Sequence, residues 1–169
     1  ETGEPVVISC TGATASRNYM PGLTEAYYRK LPVLAITSHR GEQAIGHLFD
    51  QQIDRRSIPN DIAVCSVTVP LVKESADVNF CFIEATKAIL ALSHRGGGPA
   101  HINMYTGYSQ DFSVKELPKV RKIERLTAFD ELPVIAEGKR VAIFIGSHKP
   151  FSQSETTAID NFCEAHDAV

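Results

Sequence analysis

Apolar residues in this chain fall into short unbroken runs and longer stretches at helical spacing, and the two kinds alternate. Val6-Val7-Ile8 is a run of the first kind, and it passes into the small residues Cys10-Thr11-Gly12-Ala13-Thr14-Ala15-Ser16. A strand entering a tight turn accounts for that change. Residues 18–30 carry Tyr19, Leu23, Ala26 and Tyr27 at helical intervals and stop before Pro32, which predicts a helix despite Pro21 and Gly22 in its first turns. Leu31-Pro32-Val33-Leu34-Ala35-Ile36-Thr37 is continuously apolar and rich in branched side chains, the pattern of a strand covered on both faces. Strand, helix and strand within about thirty-five residues make one right-handed crossover unit.

Residues 38–60 are polar, with His39, Arg40, Glu42, Gln43, Asp50, Gln51, Gln52, Asp54, Arg55 and Arg56. They follow the carboxyl end of a predicted central strand, where open parallel sheets place ligands. A third strand is predicted at Ile62-Ala63-Val64-Cys65-Ser66-Val67, a helix over residues 80–92, and a fourth strand at Ala100-His101-Ile102-Asn103-Met104. Gly96-Gly97-Gly98-Pro99 precedes a strand and not a helix, so it reads as a helix terminator and not as a phosphate cradle. The alternation predicts an α/β class: an open, mostly parallel sheet with helices on both faces. After Met104 the apolar periodicity is lost, and residues 105–138, with Pro118, Pro133 and Lys119-Val120-Arg121-Lys122, read as a surface linker. A partial second α/β unit over residues 139–169 follows, with a strand at 140–146 and a helix at 152–166. One strand and one helix close no core by themselves.

Charge narrows the classes. Seventeen Lys and Arg against twenty Asp and Glu leave a net charge of -3, which offers no general attraction to nucleic acid or to an anionic membrane. No apolar run approaches the roughly eighteen residues of a membrane span, and no signal segment opens the sequence, so a cytoplasmic protein is expected. The four cysteines, Cys10, Cys65, Cys81 and Cys163, lack a Cys-x-x-Cys pair and are expected to be reduced and buried. His39 and His47 lack a third ligand at a metal-site spacing, and no metal site is expected. Gly12 alone makes neither a dinucleotide fingerprint nor a Walker loop. A cysteine phosphatase loop is ruled out because Ser16 stands where its arginine belongs and Arg17 comes one position late. The pairs Lys73-Glu74 and Arg55-Arg56 read as solvated charges.

The order of motifs carries a resemblance. Ile8-Ser9-Cys10-Thr11-Gly12-Ala13-Thr14-Ala15-Ser16-Arg17-Asn18, Pro21-Gly22-Leu23-Thr24-Glu25-Ala26, Leu31 to Thr37, Gln51-Gln52-Ile53-Asp54, Val69-Pro70-Leu71-Val72-Lys73 and Gly98 to Met104 keep a family's order and approximate spacing. Over residues 5–104 the chain resembles the amino-terminal domain of thiamine diphosphate-dependent enzymes of the acetolactate synthase and pyruvate oxidase type. The resemblance implies a truncated thiamine diphosphate-binding fold: residues 1–104 as the later part of the pyrimidine-binding domain, 105–138 as a linker, and 139–169 as the start of the central domain. The polar loop is similar both to the acetolactate synthase group and to the menaquinone-pathway synthase group. The latter's usual Thr-Ala-Asp-Arg-Pro is Thr37-Ser38-His39-Arg40-Gly41 here, and the family's Gly-Pro-Gly-Ala turn is Cys10-Thr11-Gly12-Ala13.

In that family, a glutamate bonded to the cofactor's aminopyrimidine precedes the glycine turn by a strand and a helix. Glu1 and Glu4 stand too near the first strand to replace it. The Gly-Asp-Gly…Asn metal motif of the diphosphate domain is also absent. The resemblance therefore implies a fragment, without catalytic residues or cofactor of its own and inactive in isolation. The implied parent is a carboligase or decarboxylase acting on a 2-oxoacid, with thiamine diphosphate and magnesium, as a homodimer or homotetramer. By the same resemblance Gln51 and Asp50 face the cofactor, and His39 and Arg40 face the substrate, offsetting the charge of Asp50. The alternative from another class is a non-catalytic α/β module that binds a nucleotide or a protein through the same loop.

Overall fold

The computed structural model describes residues 2–107, 113–117 and 119–169. They form two compact units, Glu1–Arg125 and Leu126–Val169. Within the expected linker, residues 108–112 and Pro118 lie outside the described residues.

The first unit runs β1 (Val6–Cys10), α1 (Ala13–Arg17), α2 (Met20–Tyr28), β2 (Val33–His39), β3 (Cys65–Val69), α3 (Ser75–Ala91) and β4 (Ala100–Tyr105). The strands make a four-stranded sheet in the order β1-β2-β4-β3, and every pairing is parallel. This is the open parallel sheet that the alternation predicts. From β1 to β2 the chain moves across the sheet in one direction, and from β3 to β4 it moves back. Right-handed crossovers then put α2 and α3 on opposite faces.

Two apolar clusters follow from that layout. On one face Leu34, Val67, Val69, Ala100 and Ile102 pack with Ala88 and Leu92 from α3 and the residue after it. On the other, Ala35 packs with Leu23 of α2 and with Ile62, flanked by Ile8, Tyr19 and Ile58. Leu34 and Ala35, adjacent in sequence, thus serve opposite cores, as the period of two along a strand requires. Ala35 and Ala100 are fully buried, which explains the unbroken apolar run at the second strand.

Three features differ from the sequence expectation: the turn expected over residues 10–16 contains the short helix α1, Ala13–Arg17, and two boundaries shift. The third strand starts at Cys65, the residue paired with Ala100, because Ile62 leaves the sheet to fill the core under α2. Helix α3 starts at Ser75, ahead of the periodic stretch, because Glu74 and Asp77 form a capping box. Asp77 Oδ2 accepts from the backbone N–H groups of Lys73 and Glu74 at 2.8 and 3.2 Å, fixing that end.

The second unit holds α4 (Gln153–His166), opened by Ser152 and Glu155 as a second capping box. The strand expected at 140–146 is not formed. Among the described residues its backbone bonds across the run are those to Val169: Ile143 N–H donates to the Val169 carbonyl at 2.8 Å, and Val169 N–H donates to the Val141 carbonyl at 3.2 Å. No residue of 126–169 is buried, so a lone apolar run here has neither a core nor a neighbouring strand to hold it extended. Among the described residues, no helix is long and apolar enough to cross a membrane.

Candidate functional site

Parallel register brings three strand ends level. Cys10 pairs with Thr37, and Thr37 pairs with Asn103. The segments leaving these ends wall a cleft of about 550 Å³, lined by Ser9 to Gly12, by Ile36 to Arg40, by Gln51, and by Met104, Thr106 and Gly107. This is the strand-end position at which the polar stretch 38–60 was expected to place a site.

Of the residues expected there, Gln51, His39 and Arg40 line the cleft. Asp50 does not, and it is exposed. Gln51 stands with φ 56°, and its carbonyl lies over Gly12, where an added Cβ would come within 2.6 Å. Gly12 is therefore required by space at a close approach of two loops. Gln52, adjacent to the expected residue, does the anchoring: its Oε1 accepts from Arg40 N–H at 3.1 Å, and its Nε2 donates to the Gly41 carbonyl at 3.4 Å.

His39 is buried, and both ring nitrogens are engaged. Gly41 N–H donates to Nδ1 at 3.0 Å, so that nitrogen carries no proton, and Nε2–H donates to the Val69 carbonyl at 3.2 Å. Burial pushes its pKa down and nearby Arg55 adds to the effect, while the bond to Val69 opposes it. His39 thus meets the cleft as a neutral ring, and Arg40 is the cation beside it. On its other side, with Tyr105 edge-on at 5.8 Å, the His39 ring faces a second concavity of about 410 Å³ that reaches Lys73 and Phe80.

Sequence reading missed what lies beneath the floor. Arg55, expected to be solvated, is buried, whereas its neighbour Arg56 is exposed and paired to Asp54 at 2.7 Å. Arg55 Nη1 donates to Ser16 Oγ at 2.9 Å, and Nη2 donates to Asn103 Oδ1 at 3.2 Å and to the Ser38 carbonyl. Asn103 Oδ1 also accepts from Thr37 Oγ1 at 3.2 Å. With its proton so committed, Thr37 accepts from His101 Nε2–H at 2.8 Å, and His101 Nδ1 accepts from Ser66 Oγ at 2.9 Å. His101 is held neutral by burial first and by Arg55 second, its pKa pushed down to about 4. The signal available in sequence was the alternation His101-Ile102-Asn103, whose polar members share one face of β4.

The cysteines are free and half-buried, less enclosed than expected, and Cys10 lines the cleft. Among the described residues, no group of three His, Cys, Asp or Glu could hold a metal ion.

No family model matches the chain. It is 32% identical over 124 residues to the 2-succinyl-5-enolpyruvyl-6-hydroxy-3-cyclohexene-1-carboxylate synthase of Bacteroides thetaiotaomicron, an overlap of 73% of this chain and 22% of that protein. The enzyme of the same name from Phocaeicola vulgatus is 33% identical over 124 residues, with the same shares covered. That from Geobacillus kaustophilus is 30% identical over 100 residues, 59% of this chain and 17% of its own. The chain spans less than a quarter of the length of these curated relatives.

Proposed function

Because this chain belongs to the thiamine diphosphate-dependent family in which those synthases stand, we propose that it forms the pyrimidine-facing part of a 2-oxoacid-processing carboligase or decarboxylase. The observation that carries the reading is the cleft at the ends of β1, β2 and β4, with Gln51 on its rim and within the stretch that resembles the family.

The lining suits the aminopyrimidine end of the cofactor. Ile36 and Met104 offer apolar contact, Ser9, Thr11 and Gln51 offer hydrogen-bonding groups, and among the described residues no carboxylate lines the cleft. In this reading magnesium and the diphosphate are held by parts of the parent outside this chain. When bound, the cofactor supplies the carbanion chemistry. The residues of this chain bind and orient: Arg40 attracts the substrate carboxylate, Gln51 hydrogen-bonds at the rim, and neutral His39 holds the turn that carries Arg40. Asp50, being exposed and off the cleft wall, places no opposing charge inside it. Taken alone the 169 residues have no turnover, and the parent is a homodimer or homotetramer.

The test uses the full-length protein. Gln51→Ala lowers kcat/KM for the 2-oxoacid by at least about tenfold, and titration gives saturable binding of thiamine diphosphate but not of nucleotides. Unchanged turnover in Gln51→Ala removes the site assignment. Nucleotide binding in place of the cofactor favours the non-catalytic module.

A further inference from the structure

The layer under the cleft is organised by one guanidinium. Arg55 is 5% exposed, and its three acceptors sit on three separate pieces of the cleft wall: Ser16 in α1, the Ser38 carbonyl near the end of β2, and Asn103 in β4. None is a carboxylate, and among the described residues no ion pair involves Arg55. Among the described residues its Nε has no hydrogen-bond partner. A buried cation held by neutral oxygens is costly to desolvate, and an apolar side chain of similar volume would serve stability at least as well.

The geometry gives this cation a different role. Arg55 lies four residues beyond Gln51 in the same loop. A Cβ on Gly12 would stand 2.6 Å from the Gln51 carbonyl, 3.3 Å from the Ser38 carbonyl and 3.8 Å from Arg55 Nη2, so all three meet at one point under the floor. Gln52 completes the fastening from the same loop, through Arg40 N–H and the Gly41 carbonyl. We propose that Arg55 is a positioning residue of the cleft: by tying the Ser38 carbonyl to Ser16 and Asn103, it sets where the turn 39–41 and Gln51 stand. It does not line the cleft itself and acts through those residues. Arg55→Lys can keep the charge and one of the bonds but cannot span three acceptors, because the planar fork is specific to arginine.

Amide hydrogen exchange on the full-length protein tests this with Arg55→Met and Arg55→Lys. In Arg55→Met, exchange over residues 38–54 rises by on the order of tenfold while the amides of Ile102 and Asn103 keep their protection, and Arg55→Lys falls between the two. The same variants raise KM for the 2-oxoacid more than they lower kcat; this kinetic part rests on the function proposed above, and the exchange part does not. Unchanged exchange over 38–54, or a rise shared equally by β4, overturns the proposal, as does an unchanged KM in a variant with a loosened turn. If Arg55→Met does not fold, Arg55→Lys decides by the same criteria. Absence of any turnover in the parent protein defeats the proposed function, and the exchange result still decides the role of Arg55.

Discussion

His101 and Arg55 show how much a single side chain's role depends on neighbours far along the chain. His101 bonds Thr37 and Ser66, on the two strands flanking β4, and its neutral state follows from burial beside Arg55. The consequence for stability has a definite sign. An unfolded imidazole takes up a proton near 6.5 whereas the folded one resists until about 4. Below pH 6.5 the unfolded state therefore binds more protons, and stability falls as the pH drops from 6.5 toward 4, by up to about 3 kcal/mol from this group. The urea midpoint followed between pH 7.5 and 4 should decline accordingly, and the decline should be shallower in His101→Gln. Equal slopes in the two proteins would remove His101 as the cause. Arg55 and Arg56 make the complementary case. They are neighbours of the same type, yet one is buried under the cleft and the other pairs with Asp54 in solvent. Residue type predicts that an arginine is solvated on average, and nothing local separates the two.

At the scale of elements, the central strands β2 and β4 were legible because each buries both faces, and the long helices because their apolar residues recur at helical spacing. Helix α3 closes at Ala91, before the glycine run expected to end it, and Gly97 and Gly98, both at positive φ, instead turn the chain toward β4: a Cβ on Gly97 would strike the Leu92 carbonyl, and one on Gly98 would approach Val64 to 2.8 Å. The strand at 140–146 was misread because its apolar run carries the local pattern but, among the described residues, meets the single residue Val169 and not a strand. Two glycines now separate by environment. Gly12→Ala forces the Gln51 carbonyl away from the β1 turn and should cost about 1 to 3 kcal/mol. Gly22, inside α2 with nothing within 4 Å of an added Cβ, should instead gain up to about 1 kcal/mol as Ala. Chemical denaturation of both variants checks the contrast. Equal effects would mean that Gly12 does not mark a close approach.

For the molecule as a whole, α3 leaves Phe80 and Ile83, three residues apart and so neighbours on the helix surface, about half exposed. An apolar patch of this kind on an otherwise charged chain favours association. The 169-residue chain should sediment with a coefficient that rises with concentration, and the double change Phe80→Ser and Ile83→Lys should flatten that rise. A coefficient independent of concentration in the unaltered chain would show that the patch does not drive contact. What the sequence by itself determined is the α/β class and the alternation of strands and helices in the first unit, because apolar runs and helix signals are written in local spacing. Only the tertiary structure decided that Asp50 turns outward, that His39 and His101 are neutral, and that Arg55 is the buried cation of the site. Its partners Ser16, Ser38 and Asn103 are 39, 17 and 48 residues away. Parallel register and crossover packing, and no feature of the residues adjacent to Arg55, bring those groups together.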